Sequence, residues 1–482
     1  MILATEQDRI SHLLRRFGLG SSEAEREAYG QGSYAQAVDR LIAFTRTPAP
    51  TTPSPAQLRG QDNIFLPRQV AVAWYARMLV TERPLEEKLT LFWHDVLAVS
   101  GDKVDSGPTM AEYINLIRAR ASGNFRDLLR DVSKHAAMLY FLDNQLNVKG
   151  RANENFAREV MELFTMGLGH YSERDVQEAA RAFTGWTVEM RPGSRERPMP
   201  GVLPRRGGDF WFDQSQHDDG MKTLFGKAAR YDGDAVLDVL VDHPQCARHL
   251  AKAMWEYFVY IGPAPEVVDR VAKAFRDSGM EILALVRAIA LDPEFVSDRA
   301  ARRLVKNPVD FVVASARSLG LGGRVSGWVA GGDTAQNQRA LAPAIVANAA
   351  ATAMGQELCY PPDVSGWPHG LAWISTQTVV ERVRWADRLW GRQAPGGDRR
   401  DRNGTPSLRL DPWDWIQDDP TPSGVVSRIL SVLDANLPAE QQQTLVNAVR
   451  KAAGDRVTPR TAMDAAHAVG KLVFGSPGFQ FA

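Results

Sequence analysis

The stretch Asn153-Glu154-Asn155-Phe156-Ala157-Arg158-Glu159-Val160-Met161-Glu162-Leu163-Phe164-Thr165 decides the fold class. Wound at about 100° per residue, it puts Phe156, Val160, Leu163 and Phe164 on one arc and gathers Asn155, Glu159 and Glu162 within about 60° on the other. This is the period of an amphipathic α-helix. Two carboxylates and an amide on one stripe suit a divalent cation, as in helical bundles that hold metals between paired carboxylates. The same wheel argues against a metal, because a stripe opposite the apolar arc is what the solvated, salt-bridged face of an amphipathic helix shows.

The same periodicity extends outward in both directions. Residues 5 to 45 read as two short helices joined at Gly18-Leu19-Gly20, with Ser21 or Ser22 as a cap, and residues 47–55, rich in Pro and Thr, as a linker. Helical patterning resumes at Arg68 and runs, with breaks near Arg83-Pro84 and from Gly101 to Pro108, as far as Trp186. In the helix opening at Pro84, Leu85, Leu89, Phe92 and Val96 form one apolar stripe while His94 lies with Leu91 and Ala98, so burial on both faces is expected. A buried histidine needs a partner. Either a carboxylate such as Glu159 or Glu162 meets it, raising its pKa and making it a proton-transfer group, or it makes a structural hydrogen bond.

Downstream, Ser172 with Asp175 predicts a helix start, and Glu178 stands four residues after Arg174 and three before Arg181, as intrahelical ion pairs do. Residues 191–208 read as an exposed loop ending in a short extended piece at 209–213. His217-Asp218-Asp219-Gly220 has the composition of a turn whose side chains either bind metal or satisfy the backbone. Helices are expected from Asp234 to Leu291, Pro308 to Leu319 and Gln336 to Leu358, followed by a Pro- and Gly-broken loop from Tyr360 to Gly370. The sum is a mainly α protein, an irregular multi-helix assembly with long Pro/Gly-rich loops and little or no β. A main domain is expected over residues 1–390, a mobile linker over 391–414 and a C-terminal helical subdomain, packed on the first, over 415–482.

Composition narrows the function classes. Lys plus Arg and Asp plus Glu stand at 57 each, so no global field draws nucleic acid or an anionic membrane. No run of eighteen apolar residues crosses a bilayer, and Met1 to Ser11 lacks the pattern of a signal peptide, which reads as cytoplasmic. Cys246 and Cys359, without CxxC spacing, read as two buried thiols. HExxH, GxSxG and GxGxxG motifs are missing, and Gly220 to Ala228 fails as a phosphate loop because five residues separate its glycines and Ala228 stands where Ser or Thr should be.

Phe92-Trp93-His94, the segment from Asn153 to Glu159 with Glu162-Leu163, Asp175-Val176 with Glu178 to Arg181, and Thr184-Gly185-Trp186 together resemble the central signature of the bacterial domain of unknown function 1800 family. His12 to Gly18, His217-Asp218 with Lys222-Thr223 and Gly226, Gly355-Gln356 through Pro361-Pro362, Gly366-Trp367-Pro368, Trp373, Arg382 and Ser476 to Gln480 extend the resemblance over nearly the whole chain. Val96 and Phe164 depart from it, standing where many relatives carry histidines. The resemblance implies a companion sulfatase-like protein and, because relatives are often exported, leaves a periplasmic or extracellular site open. It implies no reaction.

Two functions compete. One is an enzyme, a hydrolase or oxidoreductase dependent on a divalent metal ion, with His94, Glu159 and Glu162 catalytic, the metal held by these three and His217, and Asn155, Glu178, Arg181 and Asp218 completing a polar pocket. The other is a binding or assembly protein whose Tyr360 to Trp373 loop, through Trp367 and Trp373, holds a peptide, glycan or partner chain.

Overall fold

A computed structural model describes residues 3–58, 66–190, 208–391 and 408–482. Helix takes up 62% of the chain and strand 5%, so the molecule is mainly α. Most of the expected loop at 191–208 and of the linker at 391–414 lies outside the described residues.

Local chemistry sets the helix boundaries. Thr5 caps Glu6–Phe17 and Ser22 caps Glu23–Tyr29, each in a reciprocal box with the acidic residue three positions on. The N-terminal region holds three α-helices rather than two, because Gly32 adopts a positive φ of 107° and Ser33 caps a further helix, Tyr34–Ile42. The helix Pro84–Val96 runs through the core and is buried on both faces, as its double stripe predicts. It carries Glu87, fully buried, which accepts from Trp74 Nε1 at 2.8 Å and Arg118 Nε at 2.9 Å and pairs with Arg77. Charge-assisted bonds of this kind are how a buried carboxylate is tolerated.

Among the described residues, two antiparallel strand pairs make up the sheet structure. Trp186–Met190 pairs with Gly208–Phe212, which is the extended piece read at 209–213, and Lys222–Leu224 pairs with Lys227–Ala229. Phe225 and Gly226, at φ 48° and 77°, turn the second hairpin, both positive as a tight two-residue connection requires. In the C-terminal part Thr376–Trp390 packs on Ala462–Gly475, with Trp390 stacked on Phe474 at 6.2 Å, and its apolar residues join the same core as the N-terminal helices. Both cysteines are free and buried. Among the described residues no helix is long and apolar enough to cross a membrane.

Candidate functional site

The acidic stretch is not one α-helix. Glu154–Glu159 is α-helical, but Val160–Met166 is a π-helix, so the wheel read from the sequence fails beyond Val160. The wider turn is visible in its bonds: Thr165 Oγ1 donates to the Val160 carbonyl at 2.7 Å and the Gly167 amide to the Glu162 carbonyl at 3.0 Å, both five residues back. His249 Nε2 meets the Leu163 carbonyl at 2.8 Å from outside. Glu162 accepts from the Tyr171 hydroxyl at 2.6 Å. Burial first, then the neighbouring Glu162 charge, pushes the Glu159 carboxyl up against the opposing pull of Arg158. Arg158 itself turns to Glu154 and Glu173. Asn155 is exposed and donates to the Leu142 carbonyl at 3.1 Å, tying down the preceding turn.

Glu178, Arg181 and Asp218 do meet one another, as a structural clamp, while His217 turns to Thr184 and Phe212. Arg181 pairs with Glu178 at 2.9 Å and Asp218 at 2.8 Å, and its hydrogen bond to Asp218 is the leading cause holding that carboxyl down at about 2. Glu178 also accepts the Thr223 amide at 2.9 Å, while Asp175 accepts the Phe225 amide at 2.8 Å. The helix Glu173–Ala182 thereby grips the Lys222–Ala229 hairpin. His217 Nδ1 lies 2.9 Å from the Thr184 carbonyl, and Lys222, buried, caps the Asp218 and Gly220 carbonyls. The polar side chains of this motif thus spend themselves on the backbone and on cations: Asp218 on the Gly220 amide and Arg181, Asp219 on Lys149, and His217 on the Thr184 carbonyl.

His94 meets none of these groups. It is fully buried with its ring 5.7 Å from Trp74 and 5.3 Å from Trp367, edge-on to the latter, and neither ring nitrogen has a hydrogen-bond partner among the described residues. Burial holds its pKa down at about 3. Neither the carboxylate nor the structural hydrogen bond expected for it is found among the described residues. Among the described residues no three His, Cys, Asp or Glu side chains gather as a cation requires, so His94, Glu159, Glu162 and His217 are not seen together as one ligand set.

The residue after His94 is where two distant motifs converge. Asp95 Oδ2 lies 2.9 Å from His369 Nε2, and Asp95 Oδ1 accepts the Trp367 amide at 2.8 Å. The loop reaches it because Asp363 folds an Asx turn onto Ser365 and Gly366 takes φ 84°. A Cβ at Gly366 would collide with Asp95 Oδ1, so only glycine permits this approach. Asp95 is 7% exposed, whereas the His369 side chain is 43% exposed. Burial works against the imidazolium, but the hydrogen bond and charge of Asp95, with Glu256 behind it, outweigh burial and raise the His369 pKa.

Tyr257 stands edge-on to His369 at 6.3 Å, and a small cavity of about 30 Å³ opens between Asp95, Tyr257, Asn307, Trp367 and His369. Trp367 and Trp373, read from the sequence as holding a peptide, glycan or partner chain, are each only 4% exposed and wall this cavity. Leu371, at 73%, and Ile261, at 53%, are the apolar side chains presented to solvent near His369. Asp95, Tyr257 and His369 escape a sequence reading because nothing in their spacing joins positions 95, 257 and 369. The available signal was that Asp95 directly follows Phe92-Trp93-His94 and that His369 sits inside the loop from Tyr360 to Gly370.

A larger cleft of about 600 Å³ lies between Pro67–Val80 and Thr334–Ala353. Arg68 is the one ionisable residue lining it among the described residues, so it offers area without an acid–base pair. A family model described as protein of unknown function (DUF1800) matches residues 12–481. No curated protein and no solved structure matches.

Proposed function

We propose, for a chain that belongs to the DUF1800 family of proteins of unknown function, a hydrolytic enzyme in which His369, held by Asp95, acts as general acid–base. The observation that carries this reading is the 2.9 Å contact between Asp95 Oδ2 and His369 Nε2 on a ring that solvent reaches. With Nε2–H donated to the carboxylate, Nδ1 keeps its lone pair and takes a proton from a water; Asp95 stabilises the imidazolium that forms. The adjoining cavity has room for one or two waters. A substrate's reacting group therefore lies at the mouth, over His369, with an apolar portion against Leu371 and Ile261.

Reaction of wild type, His369→Asn and Asp95→Asn with carboxyl esters, phosphate esters, glycosides and peptides tests this reading. A turnover that falls by about 100-fold or more in His369→Asn supports it, that being the usual contribution of a positioned general base. A turnover indifferent to both substitutions counts against it. The exposure of Leu371 and Ile261 also favours a second reading, in which the same loop docks a partner chain; Leu371→Ser then abolishes complex formation while His369→Asn leaves it intact.

A further inference from the structure

On the other side of the segment Val305–Pro308 lies a second cavity, also about 30 Å³, whose walls include Arg15, Ser21, Lys306, Asp310 and Asp434. The charges around it do not balance. Among the described residues Arg16 and Lys88 face Asp310, Arg302 and Lys306 face Asp434, and Arg15 is shared between Asp434 and the more distant Asp8. Asp310 spends one oxygen on Lys88 and the other on Asn307 Nδ2 at 3.0 Å. Asp434 pairs with Arg15 at 2.7 Å, leaving Arg302 no nearer than 4.0 Å. Lys306, 8% exposed, has no carboxylate within salt-bridge distance among the described residues; its ammonium sits 3.7 Å from the Phe479 ring centroid.

Donors are left over as well. Ser21 Oγ and Arg15 Nε, on residues lining the cavity, and Arg302 Nη1 and Arg16 Nη1 behind them are buried without a partner among the described residues. A buried cation that finds no counter-charge is strongly destabilising, and buried donors ask for acceptors. A single small anion answers both demands.

We infer that this cavity binds a monatomic anion of the chloride class, held by Lys306, Ser21 and Arg15. Its size selects the ligand: room for one or two water-sized bodies excludes phosphate, sulfate and carboxylate ligands. The site is independent of the hydrolytic reading, although Lys306 and Asn307, adjacent in sequence, line the two cavities. An anion here ties Glu6–Phe17 to the segments carrying Lys306 and Asp434, and so braces the wall behind Tyr257.

The test compares thermal unfolding in sodium chloride and sodium gluconate at equal ionic strength, together with crystals grown in sodium bromide. The expected result is a saturable rise in midpoint with chloride, reproduced by bromide and absent with gluconate, and an anomalous bromine peak within contact distance of Lys306 Nζ. Ser21→Ala weakens the half-saturating chloride concentration several-fold and Lys306→Met abolishes the response. Should Lys306→Met fail to fold, the wild-type bromide map decides alone. Indistinguishable chloride and gluconate curves with no bromine peak, a cavity filled by water only, overturn the proposal.

Discussion

Asp95 Oδ2 and His369 Nε2 stand 2.9 Å apart across more than half the sequence, and the same carboxylate holds the Trp367 amide with its other oxygen. One side chain thus both docks the loop and orients the imidazole. Asp95→Asn keeps an acceptor for the Trp367 amide and loses the charge, so the loop stays seated. Asp95→Ala leaves that buried amide without its partner, and a stability loss of about 1–3 kcal/mol beyond Asp95→Asn is expected by urea denaturation.

Burial of His94 makes a pH prediction. Its folded pKa of about 3 lies below the ordinary 6.5, so the unfolded chain binds a proton that the folded chain refuses. The stability associated with neutral His94 is complete above pH 6.5 and is lost as pH falls toward 3, at a slope approaching about 1.4 kcal/mol per pH unit. His12, held down first by burial and then by Arg16, acts in the same direction. Denaturation between pH 7 and pH 4.5 is expected to show a shallower acid limb in His94→Leu than in wild type. Identical slopes would show that His94 is not held neutral.

The clamp on the second hairpin predicts coupled losses. Arg181→Ala and Asp218→Ala each cost about 1–2 kcal/mol, and the double variant costs less than their sum, because Arg181 and Asp218 share one bidentate contact. Glu178→Ala frees the Thr223 amide. Hydrogen exchange reads this directly: amides of residues 222–229 lose protection in Glu178→Ala before the surrounding helices do.

Glu159 and Glu162 make the opposite kind of prediction. A Glu159 carboxyl raised by burial and by Glu162 carries a charge that opposes folding above its folded pKa. Glu159→Gln is therefore expected to leave stability at pH 7 unchanged or raised by up to about 0.5 kcal/mol, since the group is only half-buried. Metal content measured by mass spectrometry is expected to be equal in wild type and in Glu159→Gln/Glu162→Gln. Metal present in the first and lost in the second would restore the acidic helix as a metal centre.

How far the sequence could be read follows from the range of each interaction. Helices were legible because caps and apolar periodicity are local: Ser22, Pro84 and Ser172 begin the helices they signal. The break before Ser33 hid behind a one-residue φ, and the π-helix behind a bond pattern that the apolar period does not encode. Glu178 to Arg181 was legible as an ion pair, but its grip on the 222–229 hairpin was not. The candidate site fell outside the reading because Asp95, Tyr257 and His369 come from three remote segments. Of the polar residues that stood out, Asn155 ties down a turn, and Glu178, Arg181 and Asp218 hold the hairpin.

The measurement that bears most directly on the proposed site is the titration of His369 by NMR of histidine-labelled protein, in wild type and in Asp95→Asn. A raised pKa means a proton held to higher pH, so any stability from the pair is present below pH 6.5 and is lost as pH rises through the folded value. Wild-type His369 is predicted to titrate above 6.5 and to fall when Asp95 loses its charge. Titration at or below 6.5, unmoved by Asp95→Asn, would contradict a histidine held as a base by Asp95.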